Sequence, residues 1–88
     1  MIQVEKIDER TYRVVVKDAA TTTHTVHITP DYYDKLTGGR VSPETLIESS
    51  FEFLLQREPN TSILSTFDLP VIGRYFPEYE GTMKKILR

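Results

Sequence analysis

The order of patterns along the chain predicts an α+β fold in a single domain. The first third alternates polar and apolar residues with the period of a β-strand. Two helix-start signals follow, at Thr29-Pro30-Asp31 and Ser42-Pro43-Glu44. No repeat, low-complexity tract or linker divides the 88 residues, so residues 1–88 read as one domain.

Ile2, Val4 and Ile7, separated by polar residues, predict a strand over about 2–7. Thr11-Tyr12-Arg13-Val14-Val15-Val16-Lys17 is β-branched and aromatic and predicts a second. Residues 23–29 alternate, with His24, Val26 and Ile28 on one face and Thr23, Thr25, His27 and Thr29 on the other. The expected sheet is therefore antiparallel, with two or three strands at about 2–7, 11–17 and 23–29.

Helices are expected at about 30–37, 43–57 and 69–76, packed on one face of that sheet. Thr29 and Ser42 are caps, Pro30 and Pro43 occupy first helical positions, and Gly38-Gly39 supplies a left-handed stop. Asn60-Thr61-Ser62 reads as a break, with a short helical turn expected through Phe67. Glu78 to Arg88 reads as a polar tail, expected to fray from about residue 80. In the helix at 43–57, Leu46, Ile47, Phe51, Phe53, Leu54 and Leu55 cover an arc of about 200° at ~100° per residue. So wide an arc asks for cover on two sides, by the sheet and by either the C-terminal segment or another subunit. Val14, Val16, Val26, Ile28, Ile47, Phe51, Leu54 and Leu55 are the expected core.

Composition narrows the function. A net charge of −2 gives no basic field for nucleic acid or anionic lipid. No apolar run approaches the ~20 residues that span a bilayer. The N-terminal alternation is unlike a signal peptide. The absence of cysteine excludes disulfides and thiolate metal sites and suits a reducing cytoplasm, where the protein is expected. His24 and His27 point to opposite strand faces, so no metal ligand set is expected. No nucleophile elbow, phosphate loop or singled-out carboxylate pair is present, so no catalytic residue, no cofactor and no enzyme activity are expected. Ser42 and Ser62 have sufficient roles as caps.

Two surfaces stand out as candidates for binding a protein partner. Glu44, Glu48 and Glu52 repeat every four residues and stack along one helix face. They read either as a solvated face or as a stripe for a basic partner or for Arg13 and Lys17 of the sheet. Tyr75-Phe76-Pro77-Glu78-Tyr79 is dense in aromatic residues, and Tyr75 and Tyr79 are the candidate contacts there. The expected role is a non-enzymatic interaction or regulatory module, a monomer or weak dimer.

The runs from Ser50 to Asn60, from Phe67 to Ile72 and Arg74-Tyr75-Phe76-Pro77 resemble a family of small uncharacterised bacterial proteins, a resemblance that implies no activity. Residues 23–58, a strand, a short helix, a Gly-containing turn and a longer helix opened by Ser42, resemble a ribbon-helix-helix module of the antitoxin kind. That second resemblance implies an alternative role: a dimer whose paired strands read DNA through Thr23, Thr25, His27 and Thr29, with Ser42 near a phosphate.

Overall fold

A computed structural model describes all 88 residues. Three strands open the chain: β1 (Ile2–Asp8), β2 (Thr11–Lys17) and β3 (Thr21–His27). Helices α1 (Pro30–Thr37) and α2 (Pro43–Leu55) follow, then a 3₁₀ turn at Asn60–Ser62, strand β4 (Thr66–Asp68), and helices α3 (Val71–Tyr75) and α4 (Tyr79–Leu87). The helices pack on one face of the sheet, as the alternation predicted.

The sheet has four strands in the order β1-β2-β3-β4, where two or three were expected. It is mixed: β1, β2 and β3 are antiparallel, and β4 runs parallel to β3. The expected helical turn ending at Phe67 is replaced by this strand. Its cause lies in β3, whose outer edge offers unpaired main-chain groups. Thr25 N–H donates to the Ser65 carbonyl (2.7 Å) and Leu69 N–H to that of His27 (2.9 Å). Those bonds hold a short extended segment that has no strand pattern of its own.

Both helix starts have the expected chemistry. The Thr29 hydroxyl accepts from Tyr32 N–H at 3.2 Å, and the Ser42 hydroxyl from Thr45 N–H at 3.1 Å. Gly38 ends α1 with φ +63°, a left-handed angle that residues with a side chain rarely adopt. The tail expected to fray is helix α4. It is anchored because Tyr79 and Met83, one turn apart, are both buried. The expected third helix is shorter than its range, at Val71–Tyr75.

The core lies between the sheet and α2. Val14, Val16, Val26, Ile28, Ile47, Phe51 and Leu54 are buried, and Leu55 is half-buried at the margin. Phe51 is central: its ring lies 5.3 Å from that of His24 and 6.1 Å from that of Phe67. The second cover on α2 is the C-terminal segment. Phe53 packs edge-on against Phe76 (5.9 Å) and Tyr79 (5.3 Å). No buried side-chain polar atom lacks a hydrogen-bond partner. No helix is long and apolar enough to cross a membrane.

Candidate interaction surface

The two histidines separate as the strand period requires. His24 is buried. Its Nδ1 lies 2.8 Å from the Leu64 carbonyl, which can only accept, so Nδ1 carries the proton. Nε2 then accepts from the Thr22 hydroxyl at 2.9 Å, and that oxygen accepts from the Asn60 amide at 2.9 Å. This chain of bonds ties the segment before β4 to β3. It is partly buried, and none of its buried polar atoms is left without a partner. His27 lies on the open face, 3.7 Å from Asp68, too far for a hydrogen bond. No three His, Asp or Glu side chains converge on a point that could hold a metal ion.

The open face also carries Thr23, exposed, and Thr25, half-buried. Strand β3 is paired with β2 along its whole length and with β4 at Thr25–His27. Thr29 and Ser42 are engaged as helix caps.

The two proposed aromatic contacts differ. Tyr75 is 68% exposed. It stands with Leu64 at the rim of an apolar groove of about 230 Å³, whose floor includes Leu54, Ile63, Phe67 and Ile72. Tyr79 is fully buried and is therefore no surface contact. Its hydroxyl lies 2.6 Å from Ser50 Oγ, which donates its own proton to the Leu46 carbonyl, so Tyr79 is the donor. Burial above all, with the charge of Glu80 adding to it, holds the Tyr79 hydroxyl well above the ordinary tyrosine range.

The acidic stripe sits at the other side of the molecule. Two neighbours, one at each end, fix the direction of α2. Glu44 is close enough to Tyr12 that its charge, after burial, helps raise that hydroxyl above its ordinary value. Beyond the helix, Asn60 donates to the carbonyls of Val16 (3.5 Å) and Ala20 (2.9 Å). Tyr12 is paired with Lys6, and Val16 with Ile2. Helix α2 therefore runs beside β1 from the level of Lys6 to that of Ile2, opposite in direction to the strand. Tyr79 and Met83 of α4 lie against Ser50 and Phe53, so the glutamates occupy the opposite flank of α2, and β1 is the strand that α2 lies beside.

None of these three carboxylates is paired. The cations that form ion pairs do so elsewhere: Arg13 with Glu5 (2.7 Å), Lys6 with Glu9 (3.8 Å), Lys35 with Glu80 (3.2 Å) and Arg57 with Glu78 (3.2 Å). Arg13 was one of the two sheet cations that could have answered the stripe, and it faces the opposite side of the sheet.

Sequence reasoning missed the edge. Met1 and Lys17 exchange both main-chain bonds, at 2.8 and 2.9 Å. In an antiparallel ladder such pairs alternate, so Gln3 and Glu5 also face β2, while the N–H and C=O of Ile2, Val4 and Lys6 point outward. No strand lies beyond β1, and no side chain bonds these groups. Strand order was the signal needed, and alternation within one strand does not carry it.

No family model, curated protein or solved structure matches the chain.

Proposed function

We propose that this protein is a non-enzymatic interaction module that binds a basic protein partner along the α2 flank. One observation carries the reading: Glu44, Glu48 and Glu52 stand in a row without a cation, although the chain holds 11 Lys and Arg residues. Like charges at this spacing weaken a helix, so a basic partner gains from relieving them. The cysteine-free sequence suits a cytoplasmic setting.

The ribbon-helix-helix reading needs strand 23–29 to pair with its twin across a dimer. Pairing of β3 with β2 along its length and with β4 at Thr25–His27 weighs against it, and so does the lack of Arg or Lys at Thr23, Thr25 and Thr29.

The test is a titration with lysine-rich peptides, followed by amide chemical shifts. Shifts should concentrate at Glu44, Glu48 and Glu52 and shrink as salt rises toward ~0.5 M, where screening is strong. Basic peptides that leave these three amides unmoved would reject the reading. Salt-sensitive duplex DNA binding lost in Thr25→Ala would favour the alternative.

A further inference from the structure

The outer edge of β1 is unpaired. Ile2, Val4 and Lys6 present their outward N–H and C=O along an extended, regular stretch that ends only at the register shift between Lys6 and Asp8. An exposed edge of this kind is a ready template for another strand. Edges are commonly protected by a covering helix or loop or by their own charges. Here nothing covers the strand, and the helix beside it lines the approach with carboxylates.

We propose that β1 accepts an extended peptide segment with Lys or Arg at every second residue, so that the edge and the α2 glutamates act as one groove. This rests on the reading above and specifies its partner. The side chains of Ile2, Val4 and Lys6 lie on the helix-bearing face, in register with the core positions Val16, Val14 and Tyr12. Residues of an added strand directly opposite them project to that same face, toward Glu52, Glu48 and Glu44.

The spacings agree. Every second residue of a strand advances about 6.8 Å. Every fourth residue of a helix advances about 6.0 Å. Because α2 runs beside β1, three successive helix-facing side chains of the added strand meet three successive glutamates. Intervening side chains fall on the open face beside Gln3 and Glu5.

Charge complementarity decides the occupant. A second copy pairing through β1 would bring its own Glu44, Glu48 and Glu52 to this margin, and its helix-facing side would offer only Ile2, Val4 and a single lysine. An alternating basic segment neutralises the whole row and satisfies the outward main-chain groups together.

The probe is a peptide of about seven residues in which lysine alternates with threonine, a length matched to the edge. Its dissociation constant is measured against the full chain, with amide shifts and exchange at Ile2, Val4 and Lys6. Two N-methylated versions are compared, one methylated on the lysines and one on the threonines. In the proposed register the peptide runs antiparallel to β1, and its lysines oppose Ile2, Val4 and Lys6 and exchange main-chain bonds with them; the lysine opposite Lys6 meets a like charge, which Glu44 offsets. Lysine methylation should raise the dissociation constant at least about tenfold, and threonine methylation by less than about twofold. Exchange at Ile2, Val4 and Lys6 should slow on binding, and the variant E44Q/E48Q/E52Q should also lose about tenfold. A peptide of equal composition with its lysines clustered should bind more weakly.

If neither methylation matters while the triple variant still loses binding, the strand-addition proposal falls and the acidic-flank reading stands. If neither peptide shifts any α2 amide, both fall. Tightening of binding by lysine methylation would likewise overturn the proposal.

Discussion

Helix α2 has two flanks built on nearly the same spacing, and they meet opposite fates. Leu46, Ser50 and Phe53 on one flank are closed over by α4 and Phe76, and the single hydroxyl among them is bonded twice within the protein. On the other, Glu48 and Glu52 are exposed and Glu44 is half-buried, beside an unfinished sheet edge. A period of about four residues defines a helix face. What lies across from that face decides whether it builds the core or waits for a partner. Here the C-terminal segment makes that choice, because it reaches one flank only.

The closed flank breaks most severely at Phe53. Its ring packs on Phe76 and Tyr79, and the Arg57 guanidinium lies 3.5 Å from the ring centre. Phe53→Ala should cost about 3–5 kcal/mol, the range for emptying a buried aromatic site, and so take most of the stability of so small a domain. A urea melt reads this out. A loss under about 1 kcal/mol would mean that the C-terminal segment does not close this flank, and the contrast between the two would disappear.

Tyr79→Phe sharpens the same contrast with a smaller effect. The ring stays, and Ser50 keeps its bond to Leu46. The loss should be about 1 kcal/mol near neutral pH, the net value of one hydrogen bond. The pH dependence is the more specific sign. A tyrosine whose folded hydroxyl is held above its ordinary value of 10.0 contributes stability that is fully present below that value. That contribution is lost as pH rises past it. The native protein should lose stability steeply above pH 10.0, and Tyr79→Phe should flatten the slope. Some slope should persist through Tyr32, raised likewise by burial and then by its bond to Glu80 (2.8 Å). An unchanged alkaline slope would place the Tyr79 hydroxyl in contact with water.

Much of this was legible in the sequence, and the misses share a cause. Strands β1 to β3 and helices α1 and α2 carry their own periodicity and caps, so local pattern was enough. Strand β4 has one apolar residue, Phe67, between Thr66 and Asp68, and exists because β3 offers it an edge. Helix α4 has a real signal in Tyr79, Met83, Ile86 and Leu87, masked by Gly81 and its many charges. Missing α4 turned Tyr79 from an anchor into a supposed contact. The acidic row was visible from spacing alone. That it borders an open strand required knowing strand order and the direction of α2, which are properties of the whole fold.

The smallest effect tests the open flank by itself. Glu48 is exposed, makes no hydrogen bond and stands one turn from both Glu44 and Glu52. Glu48→Gln therefore relieves both like-charge pairs at once while leaving Glu44 near the helix N-terminus, where its charge is favourable. Each pair is worth about 0.2–0.5 kcal/mol, so the variant should be more stable than the native chain by about 0.4–1 kcal/mol at low ionic strength. The gain should fade as salt screens the row. Thermal melts at low and high salt measure both. A gain of this size, joined to weaker binding of basic peptides, would mean that the stripe lowers stability in the free protein and is used in the complex. A loss of stability at low salt would reverse the argument: Glu48 would then have a partner within the chain, and the open flank would be a second closed one.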